Sequence, residues 1–143
     1  MLQAPKSVIR WSGLKPRPNH AGHLIGVAEL VDSSGITMPG MTLQIEIKAP
    51  VDCERCLYLF SIMRLKNRQR RRVYQLEVAP LGKRTHNGQT TIYGPHEHIE
   101  ENEPIAIDHP GVRCDNWAGA LEWFFRRTNI TPFEILDPNH VAL

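Results

Sequence analysis

The chain has 143 residues, of which 41% are apolar and 22% charged, and its formal net charge is +2. This composition is typical of an ordinary globular protein and excludes an intrinsically disordered chain. A chain of this length suits one domain with one core, and so small a net charge indicates no class of partner by itself.

The apolar runs and the cysteines bear on where the protein works. No apolar run approaches the ~20 residues that span a bilayer, and the N-terminus lacks an uninterrupted apolar signal core, so we expect a cytoplasmic protein with no membrane partner. The three cysteines, Cys53, Cys56 and Cys114, cannot all pair within one chain. We therefore expect reduced thiols rather than a secreted disulfide framework. The single Cys-x-x-Cys pattern is weak evidence for structural zinc, which usually takes four ligands.

Residues 1–23 are predicted to form an extended N-terminal arm. Prolines and glycines recur there, and each proline removes a backbone donor that a strand would need. Trp11 is expected to anchor the arm, because a tryptophan in such a segment usually buries its ring. His20 and His23 have a spacing that would suit two metal ligands, but in a proline-rich segment we favour an ordinary loop.

Two strands are predicted after the arm. Residues 24–31 alternate between two fairly apolar faces, which indicates a central strand. Turn residues at 32–35 and a second break at 39–40 come before a clean alternation of apolar and polar residues over 41–48. The second segment is therefore predicted to be a half-buried antiparallel strand.

A β-hairpin with a cationic tip is predicted next. Residues 57–65 and 73–79 are rich in β-branched and aromatic side chains, and they flank the polar residues 66–70. Two interpretations stay open: a solvated turn whose charge discourages edge aggregation, and a phosphate-binding finger that releases counterions. The candidate nucleic-acid-binding residues are the cations of this segment and one downstream lysine: Arg64, Lys66, Arg68, Arg70, Arg71, Arg72 and Lys83.

Three of the seven histidines fall within residues 86–98, the segment that most strongly suggests chemistry. Asn87-Gly88 is a strong turn signal after His86. His96-Glu97-His98 follows Gly94-Pro95, and in an extended chain His96 and His98 point to the same side while Glu97 points to the other. The spacing therefore predicts a histidine pair, which His86 would join if the intervening strands bring it close.

One helix is predicted, from Trp117 to about Thr128. Asp115 or Asn116 would cap it, an aromatic stripe recurs at helical spacing, and Asn129 would end it. Such a stripe is usually core. Together these segments predict an α+β fold, a mostly antiparallel twisted sheet of about five or six strands with one main C-terminal helix packed on it, and a single domain spanning residues 24–143 after the arm.

The histidine, the turn and the Gly-Pro-His-x-His sequence resemble a signature of small prophage and toxin–antitoxin-associated domains. More distantly the chain resembles the TumE-type toxins, whose histidine pair follows a proline-containing entry into a strand. The resemblance covers roughly residues 41–128. It implies a compact α+β toxin-like protein that acts on RNA, and it carries over only to His86, His96 and His98.

Two kinds of chemistry are open to the three histidines. As metal ligands, His86, His96 and His98 would leave a fourth position of a divalent ion such as zinc for water, whose pKa zinc lowers to about 7. Without metal, they would act as general base and general acid on a 2′-hydroxyl and a leaving oxygen, with Arg71 or Lys83 offsetting the charge on phosphorus. A third interpretation is a hydrogen-bonded turn with no chemistry.

The sequence thus favours a toxin-like or prophage-encoded protein that binds RNA and cleaves it with His86, His96 and His98. The alternatives are a non-catalytic antitoxin-like interaction module, in which the C-terminal helix serves a partner, and a protein that binds metal through its histidines. The partners implied are RNA and a cognate antitoxin. The oligomeric state is left open, and a dimer is compatible with the sequence.

Overall fold

The fold is described from a computed structural model, which covers residues 2–48, 55–87 and 91–138 in enough detail to describe. It confirms the predicted α+β class: an antiparallel sheet carries helix α1 (Trp117–Thr128) on one face. The strands are β1 (Lys6–Ile9), β2 (Lys15–Pro16), β3 (His23–Asp32), β4 (Thr37–Lys48), β5 (Tyr58–Lys66), β6 (Gln69–Val78), β7 (Arg84–Asn87), β8 (Thr91–Tyr93), β9 (His96–Ile99) and β10 (Ile105–Ala106).

The main sheet is a meander extended at both edges. Strands β3 to β6 are neighbours in chain order, β9 and β10 continue beyond β6, and β1 and β2 both pair with β3. Strands β7 and β8 form a separate two-stranded sheet. The main sheet has eight strands, more than the sequence indicated, because strands of two to four residues show no detectable alternation.

The predicted arm joins the sheet through β1 and β2. Trp11 anchors the connection between them, as expected: its ring lies over Gly26 of β3 and contacts the ring of Phe133, with the ring centroids 5.5 Å apart. A side chain at position 26 would occupy the space of the indole ring. Gly26 is therefore required for the close approach of Trp11 to the sheet.

The predicted break at 39–40 is wrong, because β4 runs through it. Gly40 has a φ of 72° and lies close to the backbone of Leu65. The pairing of β3 with β4 also shifts register in this region, between Glu29 and Val31. Proline and glycine are tolerated in a strand at such irregularities, which a sequence pattern does not reveal.

The core lies between α1 and one face of the sheet. The ring of Phe124 stacks on Phe60 at 5.4 Å, and the ring of Trp117 meets Tyr58 edge-on at 5.2 Å. The aromatic stripe of the helix is therefore part of the core, as predicted. Among the described residues, the helix has no large exposed apolar side chain with which to bind a partner. No helix in residues 2–48, 55–87 and 91–138 has both the length and the apolar character needed to cross a membrane.

Both ends of α1 carry the predicted signals. The Asn116 side chain caps the N-terminus by accepting a hydrogen bond from the Gly119 N–H at 2.9 Å. Asn129 ends the helix in the left-handed conformation, with a φ of 54°. An asparagine tolerates this conformation better than most residues, so the last carbonyls find donors in the cap.

A buried lysine fastens β1 to the end of the helix. The Lys6 ammonium donates hydrogen bonds to the carbonyl oxygens of Leu2, Ala4 and Thr128 at 2.6, 2.7 and 2.7 Å. Burial lowers the pKa of Lys6 to about 8. The three carbonyl oxygens match the three donors of an ammonium group, so the charge sits at the negative end of the helix dipole with every proton bonded.

A disulfide joins Cys56, just before β5, to Cys114, in the loop before α1. The expectation of reduced thiols is therefore wrong for these two residues. They are separated by 58 positions in sequence, but the fold brings their Cα atoms to 5.8 Å, within the range that a disulfide bridges. Cys53, the other cysteine of the Cys-x-x-Cys pattern, lies outside the described residues.

Candidate functional site

The face of the sheet opposite α1 carries a row of polar side chains, which we call the histidine face. The pairing of β6 with β9 determines which residues lie on this face: Gln75 of β6 lies opposite His98 of β9, and Glu77 lies opposite His96. Glu97 falls on the other face of β9, against the helix. The prediction that His96 and His98 share a side is therefore confirmed, and β6 adds two polar partners to them.

The two imidazole rings are in direct contact. Nε2 of His96 lies 3.1 Å from Nε2 of His98, and Nδ1 of His96 lies 3.1 Å from the carbonyl oxygen of Gly94. A carbonyl only accepts hydrogen bonds, so this contact assigns a proton to Nδ1 of His96. In the neutral ring Nε2 then accepts, and Nε2 of His98 donates to it. The pair can take up one further proton, but the two Nε2 atoms cannot both carry a proton while they remain in contact.

The pair is buried. His96 is 1% exposed and His98 is 8% exposed. Thr85 of β7 covers one edge, because its hydroxyl lies 3.2 Å from Nδ1 of His96 and also reaches the carbonyl oxygens of Ile92 and Gly94. Thr85 therefore links the small β7–β8 sheet to the histidine pair.

Three further polar residues of the histidine face were missed in the sequence. The carboxylate of Glu77 lies 3.8 Å from Nε2 of His96, and its side chain is 23% exposed. Gln75 donates to the hydroxyl of Ser61 at 2.9 Å. Nothing in the strand pattern distinguished these residues from ordinary polar positions, because their role depends on which strand lies next to β6.

Behind the histidine pair, Glu97 is held in a buried network. Arg127 of α1 donates two hydrogen bonds to its carboxylate, at 3.1 and 3.0 Å, and the Tyr74 hydroxyl donates a third at 2.7 Å. Burial and the neighbouring Glu97 raise the pKa of Tyr74 far above its usual range. The hydrogen bonds to Glu97 also raise the pKa of Arg127. These contacts hold Glu97 against the helix, and they thereby keep the side chains of His96 and His98 on the opposite face of the sheet.

The predicted hairpin is present, but its cations lie mostly on the strands rather than in a loop. The turn consists only of Asn67 and Arg68, both with positive φ, as in the two-residue turns that hairpins favour. The strands therefore continue further than predicted, and we call residues 63–72 the cationic arm. The arm borders an open groove of about 820 Å³, which is also lined by Glu100, Glu101 and Asn102.

Most of the arm's charge is uncompensated. Within the described part of the chain, the side chains of Arg64, Lys66 and Arg70 make no ion pair, whereas Arg71 pairs with the exposed Glu101 at 3.1 Å. Arg72 donates to the side chain of Gln75 at 3.2 Å. Lys83 does not belong to the arm: it lines a second cavity of about 750 Å³ near Arg113 and Cys114.

The His20–His23 segment takes part in an ion-pair cluster. Glu46 accepts hydrogen bonds from Arg17 at 2.6 Å and from Nδ1 of His23 at 2.8 Å, while His20 contacts the carbonyl oxygen of Pro18. Burial alone would raise the pKa of Glu46, but the hydrogen bonds from Arg17 and His23 outweigh it and lower the pKa. Both ring contacts go to the protein itself, and Glu46 of β4 thereby binds His23 of β3 and Arg17, the residue that follows β2.

The predicted third histidine and the metal site stay predictions. The backbone of His86 lies in β7 opposite Ile92, but its side chain is outside what the structure describes. Among the described residues, no group of three or more histidine, cysteine, aspartate or glutamate side chains is arranged to hold a metal ion. His96 and His98 would supply two ligands, so a metal site would need His86 as well.

Comparison with known proteins leaves the site to be interpreted from its own geometry. The chain matches no protein-family model, and no curated protein or solved structure is detectably similar to it.

Proposed function

We propose that this chain is a toxin-like ribonuclease that binds RNA through the cationic arm and cleaves it with His96 and His98. The observation that carries the proposal is the 3.1 Å contact between the two Nε2 atoms. Singly protonated, such a pair consists of one neutral ring and one imidazolium, which are the base and the acid that cleavage of RNA needs. The uncompensated charge of the nearby arm supplies attraction for a polyanion.

The proposed reaction transfers the phosphodiester to its own 2′-hydroxyl. Neutral His96 takes the hydroxyl proton at Nε2 while the 2′-oxygen attacks phosphorus. The bond from phosphorus to the 5′-oxygen breaks, and that oxygen takes the Nε2 proton of cationic His98. The products are a 2′,3′-cyclic phosphate and a 5′-hydroxyl, and the pair is left with its extra proton on His96. Each positioned proton transfer contributes typically 10²–10⁴-fold.

The surroundings support these roles for the two rings. The Gly94 carbonyl fixes the ring of His96 through Nδ1, as an acceptor does for the base of a catalytic triad. Glu77 would offset the positive charge that the pair carries when protonated. Because His96 is buried, the mechanism requires side chains around Nε2 to shift. Glu77, 3.8 Å from Nε2, is partly exposed and would be one of them.

Incubation of the purified protein with RNA, in the presence and absence of a chelator, tests the proposal. We expect chelator-resistant cleavage that leaves 2′,3′-cyclic phosphates, and a loss of at least ~10²-fold in both His96→Asn and His98→Asn. His20→Asn is the control, because His20 is exposed and lies in another part of the fold. RNA that stays intact at every pH and metal concentration tested would refute the ribonuclease proposal.

The same assay separates the alternatives. Two results together would favour the metal-dependent route through His86, His96 and His98. The chelator would abolish cleavage, and the protein would contain stoichiometric metal that is lost in His86→Ala. Binding of RNA or of an antitoxin without cleavage would favour an interaction module. The Cys56–Cys114 disulfide bears on the proposed cytoplasmic location, because disulfides are rare in that compartment. The fraction of the two cysteines that is bonded in cells therefore tests the location. Alkylation of free thiols in lysed cells, followed by mass spectrometry, would measure this.

A further inference from the structure

The cations of the arm are divided between its two faces. Met63 pairs with Arg72 and Leu65 pairs with Arg70, whereas Arg64 pairs with Arg71 and Lys66 pairs with Gln69. Directly paired residues of neighbouring strands share a face. One face therefore presents an arginine pair beside apolar residues, Arg70 and Arg72 with Met63 and Leu65, and the other presents Arg64, Arg71 and Lys66.

The first of these faces continues the histidine face. Arg72 donates to Gln75, which lies opposite His98, so Arg72, Gln75 and His98 follow one another on the same side of the sheet. Residues two apart on a strand are separated by about 6.8 Å. Arg70 and Arg72 thus begin a line of polar groups that ends at the histidine pair.

The second face differs in its electrostatics. Arg71 is already engaged by Glu101 at 3.1 Å and by Gln69 at 3.0 Å. The ion pair with Arg71 places the Glu101 carboxylate beside this face, although the groove that Glu100 and Glu101 line is bordered by cations of both faces. A polyanion on the second face would meet Glu101, whereas Arg70 makes no ion pair within the described residues.

We infer that the substrate is single-stranded RNA lying along the histidine face, with phosphates on Arg70 and Arg72 and bases against Met63 and Leu65. This inference rests on the proposed ribonuclease function. Leu65 is 53% exposed beside Arg70, which gives an unstacked base an apolar surface without selecting its identity. The buried position of His96 and His98 disfavours a duplex, because a paired nucleotide must first lose its pairing and stacking to reach them.

Two double variants with the same loss of charge test the inference: Arg70→Ala with Arg72→Ala, and Arg64→Ala with Arg71→Ala. Each is combined with His96→Asn to prevent cleavage. Binding of a 12-nucleotide single-stranded RNA and of the duplex with its complement is measured by fluorescence anisotropy over a range of salt concentrations. Circular dichroism checks that each variant is folded.

We expect the single strand to bind at least 10-fold more tightly than the duplex. Removing Arg70 and Arg72 should weaken single-strand binding 10- to 100-fold and reduce the salt slope by roughly 1.4, at about 0.7 per phosphate contact. Removing Arg64 and Arg71 takes away the same charge but no proposed phosphate contact, so the loss of affinity should be at least 3-fold smaller. Equal losses in the two variants, or tighter binding of the duplex, would overturn this inference and leave RNA binding intact. No binding of either RNA would overturn the proposed function itself.

Discussion

Glu97 lies between His96 and His98 in the sequence, yet Arg127 of the helix binds its carboxylate through two hydrogen bonds on the opposite face of the sheet. The alternation of β9 thus places a buried ion pair directly behind the candidate site. Glu97 thus connects the helix to the strand that carries the histidine pair. A change in Arg127 should therefore affect both the stability of the fold and the geometry of the pair.

Arg127→Met should lower the free energy of unfolding by about 2–3 kcal/mol, measured by urea denaturation. Among the described residues the substitution leaves buried Glu97 with Tyr74 alone as its partner, and removing one side of a fully buried pair costs about 3–5 kcal/mol. We expect less because the Arg127 side chain is 35% exposed. The neighbouring Arg126→Met is the control and should change stability by less than ~0.5 kcal/mol. Equal effects of the two substitutions would contradict a special role for the Glu97 pair.

Tyr74 should remain un-ionised until the protein unfolds at alkaline pH. Its pKa is raised above the usual 10.0 by burial and by Glu97. A folded-state pKa above the unfolded value means that the stabilisation is complete below about pH 10 and is lost as the pH rises further. Ultraviolet titration of phenolate should therefore show a tyrosine that ionises only with unfolding. Tyr74→Phe should reduce the amplitude of that step by one phenolate; an unchanged amplitude in the variant would show that Tyr74 does not contribute to it.

Glu46→Gln should weaken the acid dependence of stability. The pKa of Glu46 is lowered from 4.5 because hydrogen bonds from Arg17 and His23 outweigh burial. The contribution of Glu46 to the free energy of unfolding is therefore complete above its pKa in the unfolded chain, and it is lost as the pH falls through its lower pKa in the folded protein. We expect wild type to exceed the variant by about 1–2 kcal/mol near neutral pH and by less in strong acid. Glu29→Gln, which removes an exposed ion pair with Arg10, should show no such convergence.

Cys114→Ser should lower the free energy of unfolding by up to about 4 kcal/mol, the chain-entropy value for a disulfide closing a loop of this length. The bond joins residues 58 positions apart, so its loss frees much of the sheet in the unfolded chain. Cys53→Ser is the matched control and should leave thermal stability unchanged under oxidising conditions. A loss in Cys53→Ser as large as in Cys114→Ser would indicate a different pairing.

Elements defined by local periodicity were predictable from the sequence. The alternation of residues 41–48 predicted the core face of β4, and the Asn116 and Asn129 signals predicted the ends of α1. The same-side placement of His96 and His98 followed from the two-residue period of a strand. Each of these properties depends on residues within one segment.

Properties that depend on which segments meet were not predictable. Glu77 and Gln75 join the site only because β9 pairs with β6 in one register, and a shift of β9 by one residue would turn the two histidines to the other face. Lys66, Arg68 and Arg70 were assigned to a hairpin tip because they lie between two β-rich runs, whereas the two-residue turn at Asn67 and Arg68 leaves Lys66 and Arg70 on paired strands. The Cys56–Cys114 bond likewise joins distant segments, and spacing alone offered no sign of it.

Lys6 has a consequence for the order in which the chain folds. Its side chain reaches Thr128, which follows it by 122 positions, and its backbone is hydrogen-bonded to Asn129 and Thr131. During synthesis β1 emerges before its partner β3, but its buried ammonium has no acceptor at the helix until α1 has formed. The contacts that join Lys6 to residues 128–131 can therefore form only once α1 is in place, so they connect the first strand to the helix late in folding.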